Sequence, residues 1–205
     1  MVHFADKRAI DRLYRLAEPQ VGYFAADQAV DAGVSRRLLS HHSAEGGSLI
    51  RIDRGLYRLR NFPRSPREDL VATWLAVGRP VDAVVSHDSA LDLYGLSDII
   101  PAAVHLTAAR EHRGHRSRRS GVRLHFVIGG VPPRDRARRE ELPVTSVERT
   151  LLDSLGAHGV TEQTELAVAQ ALDRGLTSVR RLNARADDGS EAGQERLCKA
   201  LGGRA

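Results

Sequence analysis

A glycine at position 33 interrupts an otherwise helical stretch two residues before a serine, and the pattern on either side admits few folds. Upstream, Ala25 to Ala32 reads as a short helix. Downstream, Ser35 opens another through Arg36, Arg37, Leu38, Leu39, Ser40, His41 and His42. The Ser35 hydroxyl suits an N-cap because it can accept from an N–H that the first helical turn leaves free. Small Ala29 lets the two helices approach, Gly33 makes the turn between them, and Val34 with Leu39 fills the wedge. An earlier helix is expected from Asp6 to Glu18, where Ile10, Leu13, Tyr14, Leu16 and Ala17 recur at helical spacing before Pro19. Gly46-Gly47 ends the helical pattern. Leu49 to Ile52, the turn Asp53-Arg54-Gly55 and Leu56 to Leu59 then read as a β-hairpin, with Gly55 supplying the positive φ of a tight turn. Helix, helix, turn, helix, hairpin is the order of a winged helix-turn-helix. Any small three-helix bundle shares the first part of that order, and the hairpin separates the two readings.

In that layout the third helix enters the major groove of DNA. With Leu38 and Leu39 facing inward, Ser35, Arg36, Arg37, Ser40 and His41 form the outward set. Arginine donates bidentately to guanine O6 and N7, while Ser35 and the helix N-terminus suit a phosphate. In the wing, Arg54 sits at the tip and Arg51 and Arg58 lie on the flanking strands, where a cation can follow a phosphate track or dip into the minor groove. A solvated surface role is the alternative for any one of these arginines. The expectation of double-stranded operator DNA as partner rests on the set sharing one face.

Residues Arg60 to Pro66 hold Pro63 and Pro66 and read as a linker, since two prolines in a short polar stretch disfavour helix and sheet alike. The expected division is therefore 1–62 for the DNA-binding domain and 67–205 for a second domain. Beyond the linker, Arg67 to Gly78 is helical and Ala83 to Ser86 is a short buried strand. A helix from Asp88 to Tyr94 ends at Gly95. Val104 to Thr107 and Val122 to Val127 alternate at period two, as strands with one wet face do. After Pro143 the pattern is helical again, over 146–155, 162–174, 177–185 and 191–201. The expected class is α+β: a winged helix-turn-helix followed by a mixed α/β domain with a small sheet and several helices.

The chain of 205 residues has a formal charge of +5 and a pI near 10.0, which suits an anionic partner. Lys7 and Lys199 are the only lysines, so the basic side is nearly all arginine, which a GC-rich coding sequence would also produce. No stretch approaches the roughly 18 apolar residues of a membrane span, and the N-terminus lacks the apolar core of a secretory signal. No membrane association is expected, and the address is cytoplasmic. The lone Cys198 excludes an intramolecular disulfide and every cysteine-rich zinc scaffold.

Three separated blocks carry a family resemblance. The first comprises Gly22-Tyr23-Phe24, Ala32-Gly33-Val34-Ser35-Arg36-Arg37 and Arg54-Gly55-Leu56-Tyr57-Arg58-Leu59. The second runs from Ser86 through His87-Asp88-Ser89 to Leu96, and the third from Leu142-Pro143-Val144-Thr145 to Asp153. In this order, over about residues 20–155, they resemble the AbiEi antitoxin family. The resemblance implies a repressor of its own operon that counters a nucleotidyltransferase-like toxin. Ala25 departs from the threonine or serine that often opens the first helix of the motif. Some relatives extend into a nuclease-like domain for which this chain is too short, so no nuclease activity is expected.

Rival readings attach to the second domain. Ser86-His87-Asp88-Ser89 contains the ingredients of acyl transfer, yet consecutive residues point in different directions, and a strand-to-helix turn capped by Asp88 or Ser89 is the expectation. No phosphate-binding loop, metalloprotease helix or nucleophile elbow appears. An enzyme is not expected, nor a cofactor. The basic tract 110–120, with Arg113, Arg116, Arg118 and Arg119, offers a secondary contact to nucleic acid or an acidic partner, against a solvated loop. His112 and His115 lack further ligands nearby, so no metal is expected there. An ordinary winged-helix transcription factor with a ligand-sensing second domain is the alternative to an antitoxin-type repressor, and a nucleic-acid-modifying enzyme is the third possibility.

Overall fold

Helix α1 (Val2–Ala17) turns Ala9, Leu13 and Ala17, spaced four apart, onto one buried stripe. The computed structural model describes residues 2–114, 119–187 and 189–202. The chain divides into two units, Met1–Pro80 and Val81–Ala205, and the fold class is α+β as expected. After α1, Gly22 holds φ at +84°, and a Cβ there would lie 2.6 Å from Phe62, so only glycine fits. Strand β1 (Tyr23–Ala25), helix α2 (Ala26–Asp31), helix α3 (Arg36–His42) and strands β2 (Leu49–Asp53) and β3 (Leu56–Leu59) follow. The strands pair antiparallel in the order β1-β3-β2.

The local chemistry of the turn is as the sequence implied. Ala29, Val34 and Leu39 are buried together with Leu13, Phe24, Leu49 and Leu59. Gly33 takes φ +82°, and Ser35 Oγ accepts from the Leu38 N–H at 3.2 Å. Ala25 has no hydroxyl with which to cap α2. Gln28 Oε1 instead accepts from the Ala25 N–H at 2.9 Å, which is the reciprocal half of a capping box. Gly55 holds φ +75° at the hairpin tip with open space where a Cβ would be, so its backbone conformation alone calls for glycine.

One face of this sheet carries Phe24 stacked on Tyr57, ring centroids 5.8 Å apart, against α1 and α3. The opposite face carries Tyr23 beside Arg58 and Ala25 beside Leu56. That second face is not open. Helix α4 (Glu68–Thr73), which runs on through a π-helical turn Trp74–Gly78, packs against β1 and buries Leu70, Val71 and Leu75. The division therefore falls after Pro80 and not at the expected linker. Residues 60–66 lie within the first unit, tied there by hydrogen bonds from Arg58 to the Phe62 and Pro63 carbonyls at 2.8 and 3.1 Å.

The second unit is built on a five-stranded sheet in the order β6-β5-β4-β8-β7. Its strands are β4 (Val84–Val85), β5 (Val104–Ala109), β6 (Val122–Val127), β7 (Arg136–Arg139) and β8 (Leu142–Thr145). Strand β4 pairs antiparallel with β5 and parallel with β8, and β5 pairs parallel with β6. Flanked on both edges, β5 is buried from Val104 to Ala108, without the wet face its alternation suggested. Strands β7 and β8 were not expected, because Arg136–Arg139 carries no apolar alternation and Pro143 interrupts the other. Helix α5 (His87–Tyr94) ends at Gly95 with φ +62°. Helices α6 (Val147–His158), α7 (Glu162–Asp173), α8 (Val179–Ala186) and α9 (Glu191–Leu201) are capped by Ser146, Thr161, Ser178 and Ser190, whose hydroxyls each accept from the N–H three residues on. Asp135, 1% exposed, joins α6 to α8 by accepting from Arg149 and Arg185. Among the described residues no helix is long and apolar enough to cross a membrane.

Candidate nucleic-acid interface

Helix α3 buries Leu39 and half-buries Leu38, so the 100° step per residue turns Ser35, Arg36, Arg37, Ser40 and His41 outward, and all five are exposed. In the hairpin, Arg51 and Arg54 are exposed as well. Arg36 and Arg54 line one surface depression together with Ala25, Asp27, Gly55 and Arg79, so the start of α3 and the hairpin tip share a wall. Asp27 on that wall is paired with Arg79. Burial pushes the Asp27 carboxyl up, but the hydrogen bonds from Arg79 and the Gln28 N–H and the charge of Arg79 together outweigh it and hold the group below its ordinary value.

Arg58 is the exception among the expected contacts, and it is a correction. It is 3% exposed. Its guanidinium donates to the Leu59, Phe62 and Pro63 carbonyls and to Glu68 Oε1 at 2.9 Å, and it lies 5.5 Å from the centre of the Tyr23 ring. A side chain held this way, with even its unpaired Nε buried, presents no donor at the surface for a phosphate. The physical reason is strand geometry: Arg58 stands on the sheet face that α4 covers, and its charge is met by Glu68 at the start of that helix. Tyr23 Oη donates to the other oxygen of the same carboxylate at 3.3 Å.

A further cation emerges from the structure. Arg12 of α1 is exposed, and its guanidinium lies so close over Gly33 that a Cβ there would come within 2.7 Å of it. The helical periodicity of α1 placed Arg12 on the wet side, but no local pattern linked it to a turn twenty residues away. In the basic tract, Arg113 is exposed and Arg119 half-buried, while Arg116 and Arg118 fall outside the described residues.

In the second unit the structure gathers residues that the sequence kept apart. His87, His105 and His125 each offer a ring nitrogen, all within 4.8 Å of one another. The His87 and His125 rings are stacked, centroids 3.6 Å apart and 12° from parallel, and His105 Nδ1 lies 3.2 Å from His125 Nε2. Asp88 and Ser89 do not cap α5 as expected. Ser89 Oγ accepts from the His105 N–H at 3.0 Å, and Asp88 Oδ1 pairs with His158 Nε2 at 2.7 Å. Burial, reinforced by repulsion from His125 and His105, holds the His87 imidazole down to about 3. Burial and the charge of His105 hold His125 down to about 4. Burial also lowers His105, against the opposing pull of Asp88. Sequence spacing could not reveal the group, because its members lie on a strand-to-helix turn and two separate strands.

The two blocks of the second unit singled out in the sequence pack as one. Val85, just before the second block, pairs with Val144, and Tyr94 Oη within it donates to the Thr145 carbonyl at 2.8 Å. Burial pushes that phenol up to about 12, so it remains a donor. No family model matches the chain, and no curated protein matches it. The crystal structure of RV2827C protein from Mycobacterium tuberculosis is similar over 98% of this chain and 77% of its own, with a TM-score of 0.56 at 14% identity. At that identity the likeness speaks for the α+β fold and for nothing further.

Proposed function

We infer that this chain is a cytoplasmic regulator that binds double-stranded DNA through a winged helix-turn-helix, with α3 as the reading helix and the β2–β3 hairpin as the wing. The observation that carries this is the exposure of Ser35, Arg36, Arg37, Ser40 and His41 along one face of α3, together with Arg36 and Arg54 on a common wall. A helix packed through Leu39 that leaves two arginines, a serine and a histidine free has the chemistry of base-edge and phosphate contacts. The resemblance to AbiEi antitoxins extends the reading to a repressor of its own operon that counters a nucleotidyltransferase-like toxin. The close packing of the second and third blocks, through Tyr94 and Thr145, supports it, since both then serve one structural unit. On this reading the second unit performs no chemistry and controls the partner.

The test is a competition titration of the full chain between DNA from upstream of its own gene and random duplex. Arg37→Ala is expected to lower the preference for the upstream DNA by roughly tenfold, the loss of one base contact worth about 1 to 3 kcal/mol. Arg54→Ala should weaken both duplexes by similar factors. Equal specificity ratios for the two variants would remove the assignment of reading helix and wing. Co-expression with the product of the neighbouring gene tests the antitoxin part, which fails if the chain relieves no growth arrest.

A further inference from the structure

The histidines of the second unit converge for reasons of strand geometry. Side chains alternate along a strand, so His105 and Thr107 share a face of β5. The parallel register of β5 and β6 sets His125 beside Thr107. On the other side, β4 is antiparallel to β5 with Val85 opposite Leu106, which brings Ser86 opposite His105, and the Ser86 N–H donates to the His105 carbonyl at 3.1 Å. The next residue is His87. It adopts φ +50°, a left-handed conformation uncommon outside glycine and one that is found where a site holds a side chain in place.

We propose that His87, His105 and His125 bind one divalent transition-metal ion of zinc's class, with Asp88 orienting His105 from behind. This goes beyond the DNA-binding reading and does not depend on it. In a tetrahedral site with Zn–N bonds of about 2.0 to 2.1 Å, two ligand nitrogens stand about 3.3 Å apart. His105 Nδ1 and His125 Nε2 already stand 3.2 Å apart. With Nδ1 of His105 on the metal, its Nε2 faces Asp88 Oδ2 at 3.9 Å, and Asp88 is itself anchored by His158. At 3.9 Å the two are not hydrogen-bonded, and a closure of about 1 Å on metal binding would form the carboxylate–histidine–metal relay that fixes a ligating tautomer. His87 Nδ1 is engaged by Ser86 Oγ at 3.0 Å, and Ser86 Oγ accepts from Thr107 Oγ1 at 2.7 Å, which leaves Nε2 of His87 as the ligand nitrogen.

Three imidazoles without a thiolate select a borderline ion and leave a fourth position to water or a further ligand. Half-buried His125 lies on β6, the sheet's edge strand, so an ion has a route to the group from that side. Each lone pair lies in its own ring plane, so the stacked His87 and His125 rings must open out of parallel when they share an ion.

The experiment uses the full chain, purified without an affinity tag and stripped with a chelator. Zn²⁺ is titrated by calorimetry, and Co²⁺ by its visible absorption. One ion per chain is expected, with the intense cobalt bands of a four-coordinate site. His105→Gln and His125→Gln should each weaken Zn²⁺ binding by about a hundredfold or more, and Asp88→Asn by roughly ten- to a hundredfold. Should a variant fail to fold by circular dichroism, ¹⁵N spectra of the native imidazoles decide, with Zn²⁺ shifting the rings of His87, His105 and His125 and sparing His41, His42 and His112. Absence of stoichiometric binding, binding undiminished in a folded His125→Gln, or shifts at the sparing set would overturn the site and leave a packed cluster of hydrogen-bonded histidines.

Discussion

Arg54 and Arg58 sit four residues apart in one hairpin and have opposite roles. Arg54 is at the tip, exposed, where a phosphate can reach it. Arg58 is in the central strand of a three-stranded sheet, on the face that α4 covers, and its guanidinium is spent on three carbonyls and Glu68. Removing one partner of a buried ion pair leaves the other partly uncompensated and costs about 3 to 5 kcal/mol. Arg64 also pairs with Glu68 at 2.8 Å and softens that loss, so Arg58→Ala should cost nearer the lower figure. At about 4 to 8 °C per kcal/mol for a unit of this size, thermal melts should shift down by more than 10 °C. Arg51→Ala and Arg54→Ala should stay within about 0.5 kcal/mol of the parent. The double variant Arg58→Met with Glu68→Leu, which removes both charges, should lose less than Arg58→Ala alone. A parent-like melting temperature for Arg58→Ala, coupled with weakened DNA binding, would return Arg58 to the DNA-facing set.

At the scale of elements, α4 decides how much chain the first unit needs. Residues 1–62 include the whole helix–turn–helix and hairpin but leave Leu56, Tyr23 and Arg58 uncovered, each of which is buried in the unit. They also lack Leu70, Val71 and Leu75, whose burial is worth roughly 2 kcal/mol for each side chain. Residues 1–80 should therefore fold cooperatively in isolation, with a sharp melt by circular dichroism, and 1–62 should be largely unfolded. A stable 1–62 would restore the boundary at the proline-containing stretch. The same contrast explains what the sequence made legible. Gly33, Ser35 and Gly55 act through chemistry confined to one turn, so the order of helix, turn, helix and hairpin could be read directly. The cover of α4 over β1 and β3 is a pairing between distant segments, and the alternation of β3 says only that Arg58 and Leu59 face opposite sides, not that both sides are buried. The histidine group was hidden for the same reason, since strand pairings 18 to 23 residues apart create it. Strand β7 gave no signal because four edge residues, three of them arginine, bury little.

For the molecule as a whole, the charge of +5 is a weak guide to DNA affinity, because arginine serves two ends here. Arg58, Arg149 and Arg185 are held by carboxylates inside the units, whereas Arg12, Arg36, Arg51 and Arg54 are exposed on the first unit. If these four meet phosphates while Arg37 meets a base, each phosphate contact releases about 0.9 of a counterion, and the logarithm of affinity should fall against the logarithm of salt concentration with a slope of about −3.6 per bound chain. Over a fourfold rise in salt, that slope corresponds to a loss in affinity of about a hundredfold. Arg54→Ala should flatten the slope by about one unit while sparing the melting temperature, whereas Arg58→Ala should lower the melting temperature and spare the slope. Fluorescence anisotropy on one duplex at several salt concentrations measures this directly. A slope near zero in the parent would mean that the exposed arginines do not meet phosphates. An unchanged slope in Arg54→Ala would take the hairpin tip off the DNA even where binding itself persists.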